Sequence, residues 1–583
     1  MHPFFRLVAL SALLAGGRPA APARAQSLAF DRAVVCGTGA NYNGWGPSRI
    51  VVDALGNTYV TGTFNGTIVL GNTLLTATQV SPGYNAPMGS FVAKLDAAGN
   101  YVWAAQTNDG QDAFMFEVAV DAAGGVYVVG SFTSFSARFG IGGPIVYNSS
   151  ALSEGFVAKL DGGTGQWLWA RRAGGTGNDY LQHVAVNPAG EVCVVGRSLS
   201  PVTDAGPFTL AGAQNFLARL SPAGVWLGAQ AAGSQPLGSI IPDIIGLALD
   251  AQGNVYLSGN FGPPAVSFGA TTLATQVIPG SPSGGMNSPK DVFVAKLSPA
   301  GAWLWAVQGD AVTHQNLLEA GSLAYDGAGH LYVAGAYEST AARIGGTVLP
   351  NLSRQFPQPN PAPTPPYTNN YQSDAFVARL DAATGAWDWA VRNGGLGSEV
   401  ASQSTADAQG RVYVTGGFVA TAPGGTGGTF AQLDGATGAW RGFWSLGPAA
   451  VYKFAVDGVG RLHLAGFFNT PTATFGPVTL AQAGPGQSTG FVARAGAGPL
   501  AARAGAGPAS GLTVWPNPAG GGAVWVQGPA PGQAVRVCDA LGRVVGSGLM
   551  PARGPLRLEL GVGLAPGLYV VRSGGQAQRL VVE

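Results

Sequence analysis

Short stretches in which apolar and polar residues alternate recur along most of the chain. One segment repeats seven times with the pattern apolar-x-apolar-Asp-x-x-Gly-x-apolar-Tyr-apolar, with variations. Alternation with a period of two predicts strands that bury one face. An Asp or Asn followed three residues later by Gly predicts a tight turn. The turn residues of the seven copies are Asp53, Asp121, Asn187, Asp250, Asp326, Asp407 and Asp457.

A second hairpin alternates with the first. It begins as Phe-Val-Ala-Lys-Leu-Asp or a close variant, and an aromatic strand such as Trp-Leu-Trp-Ala follows it. Its seven copies start at Phe91, Phe156, Phe216, Phe293, Phe376, Phe430 and Phe491. Each unit therefore has four antiparallel strands, and seven such units predict an all-β fold in which residues 26–494 form a seven-bladed β-propeller.

The two ends of the repeat array complement each other. The last unit lacks its fourth strand, whereas residues 28–35 form an alternating segment with no partner of their own. We expect this N-terminal strand to pair with residues 491–494 and to complete the last blade, which would remove the open edges. The long connections, for example residues 351–373, then lie on one face, where we expect a ligand.

The repeat resembles a bacterial propeller-repeat family whose units carry the hairpin D-x-x-G-N-x-Y-V-x-G. The resemblance covers roughly residues 28–494 and implies the fold. It says little about activity, because propellers host unrelated functions.

The composition changes after the repeats. Residues 495–510 are an Ala/Gly/Pro linker, and residues 511–583 contain short alternating strands that predict a small Ig-like β-sandwich. This module resembles the type A C-terminal sorting domain of the bacterial type IX secretion system, although the family more often has Tyr or Phe where Trp515 stands. The matching residues are Trp515, Pro516, Asn517, Pro518, Asp539, Gly542, Arg543, Pro566, Gly567 and Tyr569.

The N-terminus has the features of a secretory signal peptide over residues 1–25. A basic flank precedes a short apolar run, and an Ala-x-Ala sequence predicts cleavage between Ala25 and Gln26. Together with the sorting resemblance, this predicts passage through the periplasm to the cell surface or the medium. The implied partners are the type IX machinery and surface lipopolysaccharide, and the exported chain is expected to be a soluble monomer.

Charge and cysteine content narrow the function further. The 30 basic and 29 acidic residues leave a net charge of +1, so binding to nucleic acid through its phosphates is disfavoured. The three cysteines, Cys36, Cys193 and Cys538, do not indicate a disulfide framework. Cys193 lies in an apolar run and is expected to be a small core residue.

Few residues suggest chemistry. His183 and His314 are expected in connections between units, and no histidine has a metal-ligand spacing. Carboxylates lie seven to nine residues before the turn residue in five units, and they could ring a channel mouth and hold Ca²⁺, the one cofactor considered; loop capping is the alternative. These carboxylates are Asp112, Asp179, Asp243, Glu319 and Glu399.

Aromatic residues offer a second candidate site. The tryptophan pairs, such as Trp167 and Trp169, could stack on sugars, but packing between blades is the favoured interpretation. Trp45, between two glycines, is a candidate exposed ligand-binding aromatic. The sequence thus predicts a non-enzymatic surface module that binds a glycan or a protein. The alternatives are an extracellular polysaccharide hydrolase or lyase, recognisable by two carboxylates about 5–9.5 Å apart with a raised pKa, and a structural repeat protein with no discrete ligand.

Overall fold

The computed structural model describes an all-β chain of antiparallel sheets. Within the described ranges there is no helix of the length and apolarity that crossing a membrane requires. The chain divides into two compact units, Met1–Pro499 and Leu500–Glu583. The described residues are 28–37, 47–77, 87–108, 113–150, 152–235, 242–275, 290–311, 318–351, 373–394, 399–418, 428–484, 488–496, 513–515, 523–527, 531–539, 544–551, 555–559, 567–573 and 576–582.

The first unit begins with a single strand, β1 (Phe30–Val35), and continues with sheets built on a four-strand core. Sheet 1 contains β2 (Pro47–Val52), β3 (Thr58–Asn65), β6 (Met88–Leu95) and β7 (Tyr101–Asn108), with β4 (Thr67–Leu70) and β5 (Thr73–Thr76) between its second and third strands. Sheet 2 contains β8 (Phe114–Val120), β9 (Gly125–Phe132), β12 (Glu154–Asp161) and β13 (Trp167–Gly175), with β10 (Ser136–Phe139) and β11 (Ile145–Tyr147) between them.

The next three sheets repeat this order. Sheet 3 contains β14 (Asp179–Val186), β15 (Val192–Ser198), β18 (Asn215–Leu220) and β19 (Trp226–Ala231), with β16 (Val202–Ala205) and β17 (Phe208–Ala211) between them. Sheet 4 contains β20 (Asp243–Leu249), β21 (Val255–Phe261), β24 (Asp291–Leu297) and β25 (Trp303–Ala311), with β22 (Ala265–Phe268) and β23 (Thr271–Ala274). Sheet 5 contains β26 (Leu318–Tyr325), β27 (His330–Tyr337), β30 (Asp374–Asp381) and β31 (Trp387–Asn393), with β28 (Ala341–Ile344) and β29 (Thr347–Pro350).

Two further sheets complete the first unit. Sheet 6 contains β32 (Val400–Ala406), β33 (Arg411–Phe418), β34 (Gly428–Asp434) and β35 (Trp440–Trp444). Sheet 7 contains β36 (Ala449–Val456), β37 (Leu462–Phe468) and β40 (Thr489–Ala495), with β38 (Thr472–Phe475) and β39 (Val478–Ala481). Its fourth strand is β1, which pairs antiparallel with β40 so that Ala33 faces Ala493. The predicted pairing of the N-terminal strand with residues 491–494 is confirmed.

The turn between the first two strands of a sheet is held by its aspartate, as the sequence predicted. In sheet 2, one carboxylate oxygen of Asp121 accepts hydrogen bonds from the backbone N–H groups of Ala123 (3.0 Å) and Gly125 (2.6 Å). The other oxygen accepts the hydroxyl proton of buried Tyr127 at 2.8 Å. Gly124 has φ = +86°, a conformation that glycine adopts without strain. One carboxylate thus satisfies both the turn and a core tyrosine.

Neighbouring sheets are joined by tryptophan and lysine. The indole N–H of Trp103 in sheet 1 donates to the carbonyl of Gly162 in the turn between the third and fourth strands of sheet 2 (3.1 Å), and Lys94 donates to the same carbonyl (2.7 Å). The same contacts recur from sheet 2 to sheet 3, where Trp169 and Lys159 donate to Pro222. Packing between units, the favoured interpretation of the tryptophan pairs, is confirmed for Trp169.

Contacts between the first strands follow a closed order. Strands β2, β8, β14, β20, β26, β32 and β36 contact one another in sequence, and β36 contacts β2. Sheet 7 also reaches sheet 1 through Arg494, which donates to the carbonyl of Ala97 (2.6 Å), and through His463, whose ring contacts the Thr58 hydroxyl (2.8 Å). Sheet 7 is therefore a neighbour of sheet 1 as well as of sheet 6.

In the part of the chain that the structure describes, six sheets carry an additional hairpin between their second and third strands, which we call the outer hairpin: β4–β5, β10–β11, β16–β17, β22–β23, β28–β29 and β38–β39. The sequence analysis predicted four strands in each unit and did not predict these short strands. Three outer hairpins pair with the fourth strand of the preceding sheet: β10 with β7, β16 with β13, and β28 with β25. They thereby cover strand edges that would otherwise be open to pairing with other chains.

The second unit contains two antiparallel sheets that share one hydrophobic cluster, which includes Val524, Val537 and Tyr569. One sheet consists of β41 (Thr513–Trp515), β42 (Ala523–Gln527) and β45 (Leu556–Glu559). The other consists of β43 (Ala534–Cys538), β44 (Val544–Leu549), β46 (Gly567–Ser573) and β47 (Gln576–Val582).

Candidate functional site

Every first strand of the seven sheets has a β-bulge at the same place. The pairing with the second strand skips one residue, five positions before the turn Asp or Asn, so that the strand bends there. The residue after the bulge differs in every sheet. In order, these residues are Arg49, Glu117, His183, Gly246, Ser322, Gln403 and Lys453.

These seven residues surround one cavity of about 440 Å³, which we call the inner cavity. All seven first strands contribute lining residues. Because the strands share a backbone geometry but not a side chain at this position, the wall of the cavity is chemically uneven. Charged residues occupy one arc of it and neutral residues the other.

The charged arc centres on Glu117. His183 approaches one carboxylate oxygen of Glu117 with Nδ1 at 2.8 Å, and Arg49 Nε lies 3.8 Å from the other. Burial alone would raise the pKa of Glu117, but His183, Arg49 and Lys453 together lower it below its usual value. His183 Nε2 lies 3.1 Å from the carbonyl oxygen of Ile244. Both ring nitrogens therefore lie within hydrogen-bonding distance of an acceptor.

Lys453 completes the charged arc. Within the residues that the structure describes, its ammonium group makes no hydrogen bond and no ion pair. Burial, and then the nearby positive charge of Arg49, lower the pKa of Lys453 to about 8, although Glu117 opposes this shift. A desolvated ammonium group without a close partner is costly in a protein interior.

The neutral arc is occupied by hydrogen bonds between adjacent first strands. The hydroxyl groups of Ser322 and Ser404 lie 2.9 Å apart and join β26 to β32. Gln403 exchanges two hydrogen bonds with the backbone of Phe454, at 2.9 and 3.2 Å, and joins β32 to β36. These polar groups satisfy one another, whereas Lys453 and part of Arg49 face the cavity.

Three of the predicted carboxylates lie outside the inner cavity. Asp179 is fully buried at the start of β14 and accepts a hydrogen bond from the Ser200 hydroxyl at 2.8 Å. Asp243 forms ion pairs with Arg197 (3.2 Å) and Lys290 (3.5 Å). Glu399 is buried beside Ser373, to which it is joined by backbone and side-chain hydrogen bonds. None of these three is among the residues that line the inner cavity.

The side chains of the other two predicted carboxylates are not described. Asp112 lies outside the described residues, and Glu319 is placed only as a backbone position in β26. Among the described residues there is no group of three or more His, Cys, Asp or Glu side chains that could hold a metal ion. The Ca²⁺ ring stays a prediction.

The sequence analysis placed His183 in a connection between units, and this was wrong. His183 lies inside β14, because the strand starts at Asp179 and the bulge after Leu181 turns the imidazole towards the inner cavity. His314 lies outside the described residues. The inner-cavity residues could have been found by counting four residues back from every turn Asp or Asn, but a search for shared residue types overlooks a position at which each copy differs.

The prediction that Cys193 is a small core residue is confirmed. All three cysteines are free and buried. Cys193 is fully buried in β15, and this burial raises the pKa of its thiol to about 12.

Only some of the remaining predicted site residues lie within the described ranges. Trp45, Ala25 and Gln26 lie outside the described residues, as do the sorting-motif residues Pro516, Asn517, Pro518, Gly542, Arg543 and Pro566. Trp515 ends β41 opposite Trp525, Asp539 follows β43, Gly567 begins β46, and Tyr569 is buried in the core of the second unit.

A larger groove, of about 960 Å³, lies beside the outer hairpin β10–β11 of sheet 2. It is lined mainly by small and apolar residues such as Gly142 and Ile141, and Arg138 is the charged side chain among its described lining residues. The inner cavity is smaller, but five titratable side chains are among its described lining residues, so it is the better candidate site.

A scan against models of known protein families finds no match, and a search of curated proteins finds no similar protein.

Proposed function

We propose that this chain is a secreted or surface-delivered ligand-binding protein without catalytic activity. In this proposal, residues 26–494 form a seven-bladed β-propeller. Residues 511–583 form an Ig-like sorting domain that directs export through the type IX secretion system.

Three observations support the propeller. The first strands contact one another in a closed order, and β1 completes the sheet of β36, β37 and β40. Tryptophans of sheets 1, 2, 4 and 5 each donate a hydrogen bond to the following sheet. Four-stranded antiparallel sheets arranged in this way are typical of propeller blades. The export route is supported by the sequence motifs of residues 1–25 and 511–583.

The observation that carries the binding function is the uneven wall of the inner cavity. Positions that serve the fold keep one residue type in most copies, for example the turn aspartate. The position after the bulge instead carries Arg49, Glu117, His183 and Lys453 in adjacent sheets. Charged groups in a partly desolvated site are costly for folding, so their grouping favours a role in binding.

The alternative of a polysaccharide hydrolase or lyase requires carboxylates that a polysaccharide can reach. Asp291 does have a raised pKa, of about 7, caused mainly by burial. It is only 6% exposed and accepts a hydrogen bond from the backbone of Ala311. Its raised pKa therefore has a structural cause, and the binding proposal is favoured.

The test uses the protein that the producing bacterium exports. Both termini are mapped by mass spectrometry, and the same preparation is screened on glycan and protein arrays and incubated with polysaccharides. We expect an N-terminus near Gln26, a C-terminus within residues 495–510, saturable binding to one class of ligand, and no new reducing ends or unsaturated products. Polysaccharide cleavage would favour the alternative, and a full-length chain retained in the periplasm would contradict the export route.

A further inference from the structure

We propose that the inner cavity binds a tetrahedral oxyanion, such as the sulfate or phosphate group of a small ligand. This inference rests on the proposed binding function and specifies the chemistry of its ligand. It follows from the charges, the free hydrogen-bond donors and the size of the cavity.

The charge balance of the cavity is positive. Arg49 and Lys453 are cations, and His183 faces acceptors with both ring nitrogens, one of them 2.8 Å from Glu117. Glu117 is the one carboxylate among the described lining residues. Arg49, Lys453 and Glu117 together carry a net charge of +1, which favours the binding of an anion.

The donors that face the cavity are those a tetrahedral oxyanion requires. Lys453 has three N–H donors and no partner among the described residues. Arg49 donates from one terminal nitrogen to the Ser48 carbonyl (2.9 Å), and its other terminal nitrogen makes no hydrogen bond within the described part of the chain. Arginine and lysine together bind the oxygens of sulfate and phosphate groups well.

A metal cation fits the same cavity poorly. Glu117 already contacts His183 and lies near Arg49, so a cation would have to displace these groups and approach Lys453. The neutral arc offers hydroxyl and amide groups that hydrogen-bond to one another. An anion placed between Arg49 and Lys453 would instead relieve the repulsion that contributes to the lowered pKa of Lys453.

The cavity also has a suitable size. Its volume of about 440 Å³ exceeds that of a sulfate ion and falls within the range of small-molecule sites. We therefore expect the oxyanion to be part of a larger molecule, such as a sulfated sugar, with the neutral arc contacting the rest of it.

The experiment titrates the exported protein with sodium sulfate by isothermal calorimetry at pH 7, with ionic strength held constant by chloride. We expect one saturable site per chain. Sodium acetate, whose carboxylate is planar and not tetrahedral, should bind at least 10-fold more weakly. Glucose 6-sulfate distinguishes the free ion from the sugar-borne group, and it should bind more tightly than sulfate.

Two variants locate the site. Lys453→Met should weaken sulfate binding at least 10-fold. Arg441→Met removes one positive charge from an exposed side chain in β35 and should leave binding unchanged. Equal losses in both variants, or no heat from sulfate in the unaltered protein, would overturn the proposal.

The pH dependence needs no variant. The charged and titratable side chains that line the cavity with Lys453 are Arg49, Glu117, His183 and Tyr325. Deprotonation of Lys453 as the pH rises from 7 to 9 removes a positive charge, so sulfate affinity should fall severalfold; an unchanged affinity would contradict the inference.

The two proposals can fail separately. If a ligand on the arrays binds but sulfate neither binds nor competes with it, only the anion site is overturned. If sulfate binds but no glycan or protein on the arrays does, the anion site is supported and the broader binding function is contradicted.

Discussion

Asp291 occupies the first position of a third strand, and the matching residues in sheets 2 and 5, Glu154 and Asp374, are also buried and acidic. Arg172 lies 3.4 Å from Glu154, and Arg392 lies 3.6 Å from Asp374. In sheet 4 the residue in the place of the arginine is Gln308. The loss of that cation leaves the burial of Asp291 uncompensated, which explains why the pKa of its carboxyl group is raised to about 7.

The substitution Asp291→Asn should therefore stabilise the protein at pH 8. Because the folded state binds the Asp291 proton more tightly than the unfolded chain does, Asp291 contributes most to the free energy of unfolding at low pH. This contribution falls as the pH rises from about 4 to about 7. Urea unfolding measures the free energy of unfolding of both proteins at pH 5 and at pH 8. The decrease between the two pH values should be smaller in Asp291→Asn than in the unaltered protein, by at least about 1 kcal/mol. Asp374→Asn is the matched control; it breaks a pair with Arg392 and should destabilise at pH 8. Equal effects of both substitutions would contradict this explanation.

At the level of single residues, the sequence predicted the roles of those positions that carry the same residue type in most repeats. The turn aspartates and their hydrogen bonds followed from the Asp-x-x-Gly pattern alone. The inner-cavity residues did not, because Arg49, Glu117, His183 and Lys453 share a position and not a residue type. The bulge before each of them also interrupts the alternation from which strand faces are predicted.

Among the structural elements, the turns between third and fourth strands do more than reverse the chain. Gly165, in the turn of sheet 2, has φ = +74°, and a Cβ atom there would lie 2.7 Å from the ring of Trp103 in sheet 1. The same relation holds between Gly224 and Trp169, and between Gly385 and Trp305. The glycine therefore permits both the turn and the close approach of the neighbouring sheet's indole.

Gly165→Ala should destabilise the first unit more than Gly327→Ala. Gly327 has the same φ of +74° but no atom within 4 Å of a Cβ, so its substitution costs only backbone strain of about 1–2 kcal/mol. Gly165→Ala causes the same strain and also displaces Trp103, which should destabilise the protein by about 1–3 kcal/mol more. Thermal unfolding of both variants measures the difference, and tryptophan fluorescence should shift only for Gly165→Ala. Equal destabilisation would mean that Trp103 does not hold the two sheets together.

The outer hairpins show where element prediction was incomplete. Each of their strands has three or four residues, as in β10 (Ser136–Phe139) and β11 (Ile145–Tyr147), so alternation extends over too few positions to be distinctive. A glycine-containing turn does recur between these strands, at Gly71, Gly140, Gly206, Gly269, Gly345 and Gly476, all with positive φ. Aligning the connections by that glycine would have identified the hairpins.

At the scale of the whole molecule, the ends of the first unit meet in one sheet. Arg494 in β40 forms an ion pair with Asp31 in β1 (2.8 Å), and both Arg494 and Arg32 donate to the carbonyl of Ala97 in sheet 1. The sequence predicted this pairing because seven complete four-stranded units require residues 28–35 as the fourth strand of the last unit. Such an arrangement makes the stability of the unit depend on contacts between residues that are far apart in the sequence, such as Arg494 and Asp31, which are 463 positions apart.

A disulfide between these strands tests that dependence. Ala33 and Ala493 face each other across the β1–β40 pair, and both are buried, so cysteines at the two positions can form a bond without moving the strands far. The doubly substituted protein Ala33→Cys/Ala493→Cys should oxidise within one chain and unfold at a higher temperature than its own reduced form. The expected gain is about 2–4 kcal/mol, because the bond closes a very long loop in the unfolded chain. Ala33→Cys alone is the control and should show no such difference, since the three native cysteines are free and buried. Failure of the pair to oxidise, or crosslinking between chains instead, would mean that β1 is not the fourth strand of sheet 7 and that the proposed propeller is open at that point.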